Sequence, residues 1–156
     1  SGLSLSHLDT ISQINSAASE YDIVMNLAKF KERHYEEVLE ELKQVRSYVG
    51  KKPLKVIIES GVLDTEELII ATDLVAQSGA DFIKTSTGFI PQSAEELIEQ
   101  VAIIQNIIKL HKLNLEIKAS GGVQTLDLAK VLIGLGATRL GTSHSTRIIK
   151  ELEARG

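Results

Sequence analysis

The chain has 156 residues, of which 43% are hydrophobic and 24% charged; its formal net charge is −4 and it has no cysteine. This composition suits one globular domain with a real core, and the mildly acidic balance without a basic block argues against nucleic acid or an anionic membrane surface as partner. The absence of cysteine excludes disulfides, thiol chemistry and cysteine-ligated metals, the four histidines share no metal-ligand spacing, and no apolar run reaches membrane-spanning length.

In chain order, the opening stretch LSHLDTISQINSAA (5–18) reads as a helix. It lacks the basic region, apolar stretch and cleavage site of a secretory signal, and the lack of cysteine fits a cytoplasmic location. Short β-rich apolar runs follow at 20–26, 54–60, 80–86, 114–120 and 137–143, predicting five strands. Between the first two, KERHYEEVLEELKQVRSYV sets Tyr35, Val38, Leu39, Leu42 and Val45 on one helical face with charges opposite. The next two helices open with Asp64 three residues before Glu67 and Ser93 three before Glu96, both capping-box spacings. Gly79 and Gly136 mark helix ends. Strand and helix alternating at this crossover length predict a parallel sheet covered by helices, in a single domain over residues 1–156. The sheet is either open and doubly wound or part of a (β/α)8 barrel. An eight-stranded barrel takes about 200 to 250 residues, so the chain is too short to close one alone.

A weak repeat, SAASEYDIV, SGADFIKTS and LGATRLGTS, aligns Ala18, Ala80 and Ala137. Four residues on stand Asp22, Lys84 and Gly141, which are expected at a similar height on one face of the sheet. FIKTSTG (82–88) then sets Lys84 in an otherwise apolar strand, and a core ammonium costs several kcal/mol unless it is paired or neutralised.

Three stretches lie where parallel α/β proteins keep ligands, at strand carboxyl ends: IKTSTG, IKASGG and LGTSHS. Neighbouring strands would project Lys84 and Lys118 into one space from backbones about 5 Å apart. A free lysine, with a pKa near 10.4, is a neutral amine only about once in two thousand at pH 7. Two like charges roughly 6 Å apart at an effective dielectric of about 20 repel by about 3 kcal/mol, about two pKa units. Desolvation adds to this, bringing one lysine toward the neutral form that imine formation requires, with Asp22 as a proton-relay carboxylate. The same residues, with Lys55, Glu59, Glu116 and Arg139, also suit a neutralised ion-pair ladder inside a barrel. The glycine-rich turns suit either ordinary strand ends or backbone binding of a phosphate at helix N-termini. His7, His34 and His111 fall on surface segments, whereas His144 falls inside the third turn.

Taken together and in this order, EYDIVMN, KVIIESG, GADFIKTSTGF, IKASGGV and GATRLGTSHS resemble the 2-deoxyribose-5-phosphate aldolase family. The resemblance implies a (β/α)8 TIM barrel of which this chain carries about five βα units, the C-terminal part. It implies a class I aldolase needing no metal or other cofactor, which cleaves 2-deoxyribose 5-phosphate to glyceraldehyde 3-phosphate and acetaldehyde through a lysine Schiff base. By similarity Lys84 is the Schiff-base lysine, Lys118 the ammonium beside it and Asp22 the acid of the relay. Phosphate contacts carry over to Gly88, Gly121, Gly122 and the backbone around Thr142 and Ser143, with Thr85 and Thr87 lining the pocket. Gln124 stands where basic residues are frequent, and His144 replaces a common small residue. The partners implied are a phosphorylated sugar and an aldehyde, plus either a second copy of the chain or an N-terminal segment covering the sheet edges. The alternative is a catalytically silent truncated barrel that binds sugar phosphates or self-associates through those edges.

Overall fold

A computed structural model describes residues 18–156, so the expected helix at 5–18 and His7 lie almost wholly or wholly outside the described residues. Among the described residues five strands form: β1 (Tyr21–Val24), β2 (Leu54–Ile57), β3 (Phe82–Lys84), β4 (Glu116–Ser120) and β5 (Ala137–Gly141). All pair in parallel in the order β1-β2-β3-β4-β5. Consecutive order without reversal is the layout of a barrel wall, and the doubly wound alternative, which needs a switch point, is set aside.

Six α-helices among the described residues connect and follow the strands: α1 (Leu27–Lys31), α2 (Tyr35–Val49), α3 (Thr65–Gln77), α4 (Ala94–Leu110), α5 (Leu126–Gly134) and α6 (Ser145–Arg155). Both expected capping boxes form: Asp64 accepts from the Glu67 N–H at 2.8 Å and Ser93 from the Glu96 N–H at 3.1 Å. Each glutamate returns the bond to its cap, satisfying two donors that the first turn leaves unpaired. The helical pattern expected to run through 31–49 is broken. Asn26 caps the short α1, and Arg33 takes a left-handed backbone before α2 begins.

Val56, Ile58, Ile83, Ile117 and Ala119 face the helices, where Leu68, Ala71 and Val75 of α3, Leu97, Val101 and Ile104 of α4 and Leu132 of α5 close the core. The opposite, concave face carries Asp22, Lys55, Lys84, Lys118 and Arg139. This division follows from period-two alternation and puts the charges in the barrel interior. Register corrects one expectation. Asp22 pairs with Lys55 and Lys55 with Phe82, so Asp22 sits two residues below Lys84, while Gly141 pairs with Ser120, two above Lys118. The three positions share a face but climb it in steps, because strands in a barrel are staggered. Among the described residues β1 and β5 are each paired on one side only.

Candidate active site

Lys84 and Lys118 are direct partners across β3 and β4. Their strand ends are stitched by hydroxyls. Thr85 Oγ1 donates to the Ser120 carbonyl at 2.8 Å and accepts from the Ser120 N–H at 2.9 Å, and Ser120 Oγ donates to the Ser86 carbonyl at 2.6 Å. Thr85 is therefore fully buried and does not line the cleft, correcting its expected place there. As the next residue after Lys84 it alternates away from the concave face, and its hydroxyl is used up between the strands. The Glu59 carboxylate accepts from the Thr87 N–H and so ties the 86–88 loop to the end of β2.

The two lysines converge on one carboxylate oxygen. Lys84 Nζ lies 2.7 Å and Lys118 Nζ 3.1 Å from Asp22 Oδ2, while Lys55 Nζ takes Oδ1 at 2.8 Å. Lys84 reaches Asp22 across the intervening β2, which its stem length permits despite the two-residue stagger. Burial pushes the Asp22 carboxyl up, but hydrogen bonds from Lys55, Lys84 and Lys118 outweigh it and hold the carboxyl well below the usual carboxylate range. Asp22 stands with the two lysines as expected, and the repulsion between them is tempered by this anion, which both of them reach. It neutralises only part of their charge, because three lysines share it.

Above the lysines opens a cleft of about 470 Å³. Lys84, Thr87, Gly88, Lys118, Gly121, Gly122, Thr142 and Ser143 line it, together with His144 and Gln124. Two of its walls are the loops entering α5 and α6, whose N-terminal N–H groups carry partial positive charge. Thr142 Oγ1 joins these loops, donating to the Val123 carbonyl and accepting from the His144 N–H. Gly141 lets β5 lie close against β4, since a Cβ there would stand 2.8 Å from Ser120 Cβ.

Gly121 has φ +93°, and a Cβ would fall 2.7 Å from Gln92 Nε2 and 2.9 Å from Ser86 Oγ. Gly121→Ala is therefore expected to destabilise the fold by about 1–3 kcal/mol, combining left-handed strain and overpacking. A urea titration showing an unchanged midpoint would contradict this.

Ser120, Val123 and Gly141 fall inside the stretches singled out in the sequence, whereas Phe89 and Gln92 belong to the site or its frame and were not legible as such. Phe89, 90% exposed, sits in a loop whose path no strand or helix pattern fixes.

A consecutively ordered parallel sheet with clustered lysines and an open cleft at its carboxyl end defines a (β/α)-barrel protein with its ligand site in the usual place for that fold. The chain belongs to the DeoC/LacD family of aldolases, whose family model matches residues 4–140. It is 44% identical over 142 residues to the deoxyribose-phosphate aldolase of Metamycoplasma arthritidis, covering 91% of this chain and 63% of that relative. Among solved structures it is similar to the aldolase QR15, with a TM-score of 0.84, 36% identity and coverage of 95% of this chain and 65% of that one. It is also similar to the deoxyribose phosphate aldolase of Aeropyrum pernix, described as tetrameric, with a TM-score of 0.79, 27% identity and coverage of 96% and 62%. The chain thus spans a little under two thirds of the length of these relatives, five βα units of the barrel. No helix among the described residues is long and apolar enough to cross a membrane.

Proposed function

We propose that this chain carries the Schiff-base centre of a deoxyribose-phosphate aldolase. The observation behind this reading is the single Asp22 oxygen shared by Lys84 and Lys118 at 2.7 and 3.1 Å, beneath a cleft open to solvent. In cleavage, the neutral amine of Lys84 attacks C1 of open-chain 2-deoxyribose 5-phosphate, and water leaves to give an iminium. A base takes the 3-hydroxyl proton, the C2–C3 bond breaks, and its electron pair moves into the iminium as an enamine. Glyceraldehyde 3-phosphate departs; protonation of the enamine and hydrolysis then free acetaldehyde and Lys84. Asp22 and Lys118, hydrogen-bonded to each other beside Lys84, hold and pass the protons.

The phosphate would rest on the loops of Gly121, Gly122, Thr142 and Ser143, against the starts of α5 and α6, with Thr87 and Gly88 on the opposite wall. The relatives' names support the choice of substrate. In the working enzyme the open sides of β1 and β5 would be covered by further barrel strands or by a second copy. A cytoplasmic site of action agrees with a cysteine-free chain.

The test is borohydride reduction in the presence of acetaldehyde followed by peptide mass mapping. A two-carbon adduct at Lys84 is expected. A folded sample with no adduct, or with label only on surface lysines, sinks the proposal and favours a silent sugar-phosphate binder.

A further inference from the structure

Beyond the shared carboxylate, the concave face holds a second tier of charge that does not reach the cleft. Arg139 of β5 lies over the Phe82 ring, 4.5 Å from guanidinium carbon to centroid, and donates to Glu20 at 2.6 Å. A bulge between Ile117 and Lys118 in the β4–β5 register brings Arg139, instead of Thr138, level with Lys118. Glu20 also takes Lys55, which in turn takes Asp22 Oδ1. The Lys55 side chain is 3% exposed, against 14% for Lys84 and 20% for Lys118. It is sealed beneath the cleft and lines none of it.

Among the described residues, the charged groups facing the lysine pair are Glu20 and Asp22 from β1 and the turn before it, Lys55 from β2 and Arg139 from β5. Glu59, after β2, is committed to the Thr87 N–H, and Glu116 of β4 to the Thr138 hydroxyl at 2.6 Å. Within this set four cations share two carboxylates, and the cluster carries uncompensated positive charge in a partly dry interior. By Coulomb's law each such charge disfavours the ammonium form of its neighbours, while each carboxylate favours it.

We infer that Lys55 is a positioning residue that acts in two ways. It locks Asp22 with Oδ2 toward the lysine pair, and its charge, tempered by Glu20, opposes the positive charge on Lys84. The inference rests on the aldolase reading for its relevance to catalysis, yet its electrostatic content can be measured without turnover. Removing the cation in Lys55→Met favours the ammonium, so the acid limb of the kcat/KM profile moves to higher pH. Removing the anion in Glu20→Gln unmasks Lys55 and Arg139, so the limb moves to lower pH. Each displacement is expected to be about one pH unit. Lys55→Arg restores the charge and is expected to return the limb toward the parent value.

The experiment pairs those profiles with competitive labelling by trace acetic anhydride, in which the modification of Lys84 is followed against pH by peptide mass spectrometry. Opposite displacements in Lys55→Met and Glu20→Gln support the inference, because general loosening of the fold lowers the folded fraction without moving two midpoints in opposite directions. Coincident midpoints, or shifts of the same sign, overturn it. Where Lys55→Met does not fold, Glu20→Gln and Arg139→Gln carry the test, with downward and upward shifts expected. A parent protein that forms no acetaldehyde adduct but shows the opposed labelling shifts would refute the aldolase reading alone.

Discussion

Lys84→Met is expected to lower kcat/KM for the proposed cleavage of 2-deoxyribose 5-phosphate by at least about 10⁴-fold, since the proposed covalent route disappears with the amine. Methionine keeps the length of the stem and leaves Asp22 with two ammonium partners, Lys55 at 2.8 Å and Lys118 at 3.1 Å. The fold should therefore survive the change, and even be relieved of one of four clustered cations. Thermal unfolding beside the assay separates the two effects. A Lys84→Met protein that melts like its parent and retains more than about a hundredth of the activity would place the Schiff base elsewhere.

Asp22→Asn should act on both rate and stability. Loss of the carboxylate proposed as the relay is expected to lower kcat by about 10²–10⁴-fold, the usual reach of a positioned acid–base group. Stability at neutral pH is expected to fall by about 1–3 kcal/mol, because three lysines lose their common anion while the site remains partly open to water. The pH dependence has a definite sign. The folded-state pKa of Asp22 is depressed, so its stabilisation is complete above the unfolded carboxyl value of about 3.9 and is lost as pH falls through the lower folded value. Urea titrations of parent and Asp22→Asn should differ at pH 7 and draw together below about pH 4. A constant difference down to strongly acid pH would show that shape, and not charge, is what Asp22 contributes.

Much of the site could be read from residues alone, since lysine in an apolar strand is costly enough to require an explanation and two such strands in succession point to one cavity. The pairing of Lys84 with Lys118, both capping boxes and all five strands followed from local pattern. Alternation also directed Lys55 and Arg139 inward, although it gave them no order among themselves. Thr85 shows the limit of reading by resemblance: period two sets it on the face opposite Lys84, and the cleft excludes it.

What the sequence determined by itself is therefore whatever a few consecutive residues can encode: strand and helix identity, the face each side chain takes, the caps, and the presence of basic residues on a surface that should be dry. Tertiary structure alone decided which carboxylate oxygen each lysine reaches, the stepwise climb from Asp22 to Lys84 to Gly141, and the bulge that levels Arg139 with Lys118. Those features depend on the offset between neighbouring strands. Helix packing and barrel stagger set that offset over the whole sheet, and no short window of residues contains it.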